Sequence, residues 1–185
     1  MKILIVSGFL GAGKTTFIKR LARNVDQRFA ILENEYGAAG IDGARLGQNR
    51  QGTQKNVWEM TEQCICCIGK KDFAASVLTI ANVVDPEYLI VEPTGVGSLA
   101  RIIENLRQIE YERIQLLSPV TIVDVYSYRR YMAEYPELYQ DQIRSADTII
   151  VSKTEACQAE EKQRIQKFCR KLTRRQKSSR IMHPR

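Results

Sequence analysis

The stretch SGFLGAGKTT, residues 7–16, decides how the rest of the chain is read. It matches the spacing G-x-x-x-x-G-K-[ST] at Gly8, Gly13, Lys14 and Thr15. Glycines at such positions let main-chain N–H groups turn inward and form a nest for phosphate oxygens, a cradle that takes in Gly11 and Ala12. A helix beginning at Lys14 or Thr15 adds its positive end, with Thr16 in its first turn. The motif then predicts that Lys14 reaches the β- and γ-phosphates and that the Thr15 hydroxyl ligates Mg²⁺. The bland alternative is a glycine-rich turn with an incidental lysine. The surroundings argue against it, because an apolar run precedes the loop and a helical pattern follows.

Working outward, short apolar runs alternate with helix-like segments along the chain. Residues 2–7 read as a strand, and 15–24 as a helix with Phe17, Ile18 and Leu21 on one face. FAILENE (29–35) and NVWEM (56–60) read as strands, 72–84 as a helix, EYLIVE (87–92) as a strand and 99–108 as a helix. SPVTIVDV (118–125) is a strand, 138–145 helical and DTIIVS (147–152) a strand. Residues 156–172 form a helix carrying Ile165, Phe168 and Leu172. Apolar runs without period-two alternation suit strands covered on both faces. The fold class expected is therefore α/β, a P-loop NTPase with a mostly parallel central sheet and helices on both faces. Residues 36–52 show neither period and read as a long loop, a kind usually tied to function.

Composition narrows the function classes. The 185 residues suit one domain, 1–185, with a sizeable core. MKILIVSGFLGAG imitates a secretory leader but runs into GKTT without a cleavage site, so a buried strand and a cytoplasmic protein are expected. No run is long and apolar enough for a membrane helix. The net charge of +7 resides in the tail: residues 166–185 hold eight Lys and Arg and no acid. With Phe168 its one aromatic, this stretch, and the basic segment from about 173 to 185 in particular, offers no stacking platform for nucleic acid; a solvated helix face or frayed end is expected. Five cysteines, three of them clustered, do not suggest a disulfide framework.

Three further constellations carry chemistry. In YLIVEPTG (88–95) the strand-end carboxylate of Glu92 can serve the Mg²⁺ shell or orient water, and the Gly95 N–H can approach a γ-phosphate. Asp124, ending VTIVD, ranks second for the metal-side carboxylate. IIVSKTE (149–155) stands where guanine-binding proteins carry Asn-Lys-x-Asp; Lys153 can lay its stem along a base and Glu155 can accept guanine N–H groups. Ser152 and Glu155 depart from that pattern, so guanine is a preference over adenine. In TEQCICCIGK (61–70), Cys64, Cys66 and Cys67 can supply three corners of a tetrahedral thiolate site, with a carboxylate from Glu33 or Glu35 as a further ligand. His183 in the basic tail is a poor fourth ligand. A Cys64–Cys66 redox pair and simple packing are the rival uses of this sulfur. Cys157 and Cys169 read as structural.

In order, GFLGAGKTT, ENEYGAAGID, CICC, VEPTG, TIVD and SADTIIVSKTE resemble the CobW-type GTPases, metallochaperone relatives of HypB and UreG. The resemblance runs from Met1 to about Leu172. It implies a G domain that hydrolyses GTP with Mg²⁺ and couples hydrolysis to handling Zn²⁺ or Co²⁺, in cobalamin or metalloenzyme maturation. Lys14 and Thr15 would serve phosphate and Mg²⁺, Glu92 and Gly95 the second switch, and Lys153 and Glu155 the base. Cys64, Cys66 and Cys67 would bind the metal, with Glu35 an extra ligand. A client metalloprotein or metal-inserting complex is the implied partner, and two copies sharing one site are left open. The family's C-terminal domain and His-rich stretch are expected to be absent. The rivals are a small-molecule kinase or ATPase with structural cysteines, and a non-catalytic metal or redox sensor.

Overall fold

Strands whose apolar runs lack polar alternation assemble here into one parallel sheet. The computed structural model describes residues 1–24, 26–33, 57–61, 70–173 and 180–182, with 57–61, 70–72 and 180–182 described by main chain alone. In chain order the elements are β1 (Lys2–Gly8), α1 (Lys14–Asn24), β2 (Phe29–Glu33), β3 (Val57–Thr61), α2 (Lys70–Val83), β4 (Tyr88–Glu92) and α3 (Leu99–Arg107). There follow β5 (Gln115–Leu116), β6 (Val120–Asp124), α4 (Tyr128–Glu134), α5 (Pro136–Arg144), β7 (Thr148–Ser152), α6 (Ala159–Thr173) and β8 (Arg180–Met182). The sheet order is β3-β2-β4-β1-β6-β7-β8, with the short β5 beside the start of β1. Every described strand pair is parallel.

Parallel pairing aligns the carboxyl ends. The phosphate loop, Glu33, Glu92, Asp124 and Ser152 therefore leave the sheet at one edge. β1 lies between β4 and β6, so successive strands leave it in opposite directions. Ligands of such sheets bind in the crevice outside the strand ends at that reversal.

The two faces are covered unevenly. Ile3, Ile5, Leu89, Val91, Val123 and Ile149 pack beneath the helices α2–α6, whose core residues include Phe73, Leu106, Tyr139 and Ile165. Opposite them Val6, Ile31, Ile90, Ile122 and Ile150 join Ile18 and Ala22 of α1. The helix α3 shows how the burial is achieved. Ser98 accepts from the Arg101 N–H at 3.4 Å, and Leu99, Ile102, Ile103 and Leu106 recur at the spacing of one helical face.

The chain departs from the sequence reading at several places, the short β5 among them. The last long helix begins at Ala159 rather than at 156, because Cys157 N–H closes a turn on Thr154 and Glu160 and Glu161 favour a helix start there. The helix α4 was unexpected, although Tyr128, Tyr131, Tyr135 and Tyr139 repeat at helical spacing. Within the basic segment, Arg180–Met182 pairs with β7 as strand β8, so at these positions the tail is neither a helix face nor a frayed end.

Candidate functional site

The phosphate loop connects β1 to α1 with positive φ at Gly8, Gly11 and Gly13 (149°, 69° and 99°). Gly8 is needed for two reasons. Its φ lies in the region that favours glycine, and a Cβ there would stand 2.6 Å from the carbonyl oxygen of Ile122 on β6. The loop is tied on two sides. Ser152 Oγ, at the end of β7, donates to Ala12 O at 2.6 Å, and Tyr131 Oη of α4 donates to Leu10 O at 3.0 Å. Phe9 is buried in the tyrosine cluster, with ring centroids 4.4 Å from Tyr131 and 5.4 Å from Tyr139. Lys14, at the first position of α1, is buried.

Thr15 Oγ1 donates to Glu92 Oε1 at 3.2 Å, so the hydroxyl and the strand-end carboxylate meet beside the loop. Two hard oxygen donors converging at a phosphate cradle fit Mg²⁺. Glu33 lies one strand away, level with Glu92 in the β2–β4 register, and is buried as well. From Glu92 the chain enters a turn in which Gly97 N–H donates to Thr94 O at 2.9 Å. A Cβ on Gly95 would lie 2.7 Å from Leu10 N. Only a glycine lets this turn rest against the phosphate loop.

The second-ranked carboxylate, Asp124, has another task. It accepts from Lys153 Nζ at 2.7 Å, from Tyr126 N–H at 2.9 Å and from Ser127 Oγ at 2.9 Å. Burial works to raise its pKa, but the Lys153 ammonium and the other two donors outweigh it and hold the carboxyl below its usual value. Lys153, at φ 57°, thus reaches from the turn after β7 to the end of β6. Lys153 and Glu155 line a cleft of about 170 Å³ together with Gly13, Thr16 and Phe17. The cleft is continuous with the loop that would hold phosphate, so the two residues read from the sequence as base-facing reach the same crevice.

Cys64, Cys66, Cys67 and Glu35 lie outside the described residues. Among the described residues no group of three or more metal-ligating side chains converges. Cys169 is fully buried in α6, and burial pushes its thiol up to about 12, the behaviour of a packing residue. The sequence reading missed Tyr131 as a tether of the loop, and no motif marks it. It also missed Ser152 in that role, although its place in the departed Asn-Lys-x-Asp pattern was a signal. Among the described residues no helix is long and apolar enough to cross a membrane.

Residues 2–180 match the family model of the CobW/HypB/UreG nucleotide-binding domain. The zinc chaperone YeiR of Escherichia coli is 31% identical over 167 residues, covering 89% of this chain and 50% of the relative. The zinc chaperone CobW of Pseudomonas aeruginosa is 27% identical, covering 89% and 52%. This chain therefore spans about half the length of these relatives. Among solved structures, Zn(II)-bound YjiA GTPase from E. coli superposes with a TM-score of 0.68 at 20% identity, over 100% of this chain and 57% of that one. HypB from Helicobacter pylori in complex with nickel superposes with a TM-score of 0.63 at 18% identity, over 98% and 77%. At these identities the superpositions speak for the fold, a P-loop NTPase sheet. The family match and the phosphate loop lead to one conclusion: the chain belongs to the CobW/HypB/UreG family through its nucleotide-binding domain.

Proposed function

We propose that this chain is the G domain of a metallochaperone, binding and hydrolysing GTP with Mg²⁺ and using nucleotide state to capture and release Zn²⁺ or Co²⁺ at Cys64, Cys66 and Cys67, with Glu35 as a further ligand. The nucleotide half is carried by one observation: the Thr15 hydroxyl and the Glu92 carboxylate meet at 3.2 Å beside the loop. The metal half is supported by the names of YeiR and CobW as zinc chaperones and by the C-x-C-C spacing.

In this reading the loop N–H groups and the start of α1 hold the phosphates, and the Lys14 ammonium offsets charge that grows on the transferred group. Thr15 and Glu92 would hold Mg²⁺, which when bound neutralises charge on the β- and γ-oxygens. In the alternative role Glu92 orients the attacking water instead, and in either case the Gly95 N–H meets the γ-phosphate. Hydrolysis removes that contact and relaxes the turn. Residues 36–52 and the cysteines, which lie outside the described residues, stand between the phosphate loop and this turn in sequence, so nucleotide state would reach the thiolates through that stretch. Turnover without a partner is expected to be slow, roughly 10⁻⁴–10⁻² s⁻¹. The chain acts on a client metalloprotein or metal-inserting complex.

Titration with Zn²⁺ in the presence of GDP and of a non-hydrolysable GTP analogue tests the coupling. The two affinities should differ about tenfold, within the usual range of coupling between sites. Lys14→Ala should abolish the difference. Equal affinities in the wild-type protein would sink the reading, since a ligand indifferent to two states shifts neither.

A further inference from the structure

The turn that abuts the phosphate loop is held from behind by one buried side chain. Gln142, on α5 and 1% exposed, donates through Nε2 to Gly95 O at 3.0 Å and to Gly97 O at 2.9 Å. Only the NH₂ end of an amide can face two carbonyl oxygens, so its orientation is fixed by its partners. Both donors are used. The remaining atom, Oε1, is buried with no hydrogen-bond partner among the described residues.

Gln142 is itself anchored to the sheet. Its main-chain oxygen accepts from Thr121 Oγ1 on β6 at 2.8 Å, and Thr121 stands level with Ser7 of β1, the residue before the phosphate loop. The neighbouring Asp141 accepts from Ala100 N–H at 3.4 Å, so α5 grips the start of α3 as well. The segment Gly95–Ala100 is thus suspended between Leu10 in front and Asp141 and Gln142 behind.

We infer that Gln142 is a positioning residue for the second switch, a latch that sets how closely the Gly95–Gly97 turn follows the γ-phosphate. In a trans peptide C=O and N–H point opposite ways. Holding the Gly95 carbonyl toward α5 therefore turns the Val96 N–H away from it and fixes the plane of the turn. Both bonds are made to main-chain oxygens, so no sequence motif would show them.

The inference rests on the proposed role of Gly95 and is tested on the whole chain. Gln142→Met keeps length and packing and removes both donors; Gln142→Glu keeps shape and acceptors. For each folded variant, as judged by thermal melting, affinities for GDP and for a non-hydrolysable GTP analogue are compared with wild type. The analogue should lose roughly tenfold, about what two neutral hydrogen bonds support when part of their strength is recovered by water. GDP should stay within about twofold. An unchanged analogue-to-GDP ratio in a folded variant overturns the latch. If neither variant folds, the Gln142 side-chain NH₂ signals of nitrogen-labelled wild-type protein are followed by NMR. They should shift when GDP is exchanged for the analogue, and signals that stay in place overturn the inference. A wild-type chain that binds neither nucleotide would instead defeat the proposed function itself.

Discussion

The two ends of the crevice proposed to hold the nucleotide, one for its phosphates and one for its base, are built on opposite plans. At the phosphate end the contacts are main chain and the fit is enforced from several sides. Gly8 is pressed against Ile122 and Gly95 against Leu10, Tyr131 and Ser152 hold the loop, and Lys14 and Glu92 are buried. At the base end the work falls to side chains, and they are open to water: Lys153 is 47% exposed and Glu155 is exposed. Asp124 behind Lys153 is buried, and it is the carboxylate that holds the Lys153 ammonium. A cradle of N–H groups recognises what all nucleotides share, whereas exposed side chains can only choose among them. Affinity should therefore depend on the first end and selectivity on the second, and each substitution below separates the two.

Gly95→Ala should have the largest effect. The added Cβ would sit 2.7 Å from Leu10 N and 2.9 Å from Leu10 Cδ2. The side chain could rotate away but the main chain cannot, so the turn must withdraw from the loop. Misplacing a group by about an ångström at a reacting centre costs on the order of 100-fold in rate. Single-turnover GTP hydrolysis should fall by about that factor, while GDP affinity changes by less than about threefold, because GDP has no γ-phosphate for the turn to meet. A hydrolysis rate unaffected by the substitution would break the claim that this end is sterically enforced.

Asp124→Asn probes the buried carboxylate that anchors Lys153. The isosteric amide keeps the shape but gives up the charge that Lys153, Tyr126 and Ser127 all address. A loss of about 2 kcal/mol in stability at neutral pH is expected, the scale of a buried hydrogen bond to a charged group. The pH dependence has a definite sign. The Asp124 pKa is held below its ordinary 3.8, so its contribution is fully present above that value and is lost as pH falls through the lower folded one. Denaturation by urea should show the wild type well above the variant at pH 7, with the gap closing as pH falls below the ordinary 3.8 and through the lowered folded value. A gap that persists undiminished in acid would mean that packing, not charge, is what Asp124 supplies.

The legible and the hidden parts of the molecule divide along the same line. The phosphate-loop motif and the strand leading to Glu92 were visible because main-chain recognition demands particular residues at fixed spacing, and strands buried on both faces leave continuous apolar runs such as residues 89–91. Gln142, Tyr131 and Ser152 were not legible as supports, because each reaches across more than forty residues to a carbonyl oxygen that any residue could present. Asp124 was visible as a strand-end acid, but its partner Lys153 lies just past β7, three elements further on, so its role as an anchor required the parallel pairing of β6 with β7. The short β5 and β8 escaped because two or three residues carry no period.

Glu155→Gln should have the smallest effect and is the sharpest test of the division between affinity and choice. A carboxylate can accept from both of guanine's Watson–Crick donors. An amide offers one acceptor and turns its NH₂ toward the other. Glu155 is exposed, so water replaces much of what is lost and the GTP-over-ATP preference should fall only about three- to tenfold. Competition of GTP and ATP against a fluorescent GDP derivative reads the ratio directly. Xanthosine triphosphate, whose base carries an oxygen in place of the guanine amino group, should gain relative to GTP in the variant, because the repulsion between that oxygen and the carboxylate is removed. The summed affinity for phosphates should stay as it was, since nothing at Gly8, Lys14 or Thr15 is touched. If the GTP-to-ATP ratio does not move, Glu155 is not the reader of the base. If all nucleotides weaken together, the two ends are not separable and the comparison fails at its root.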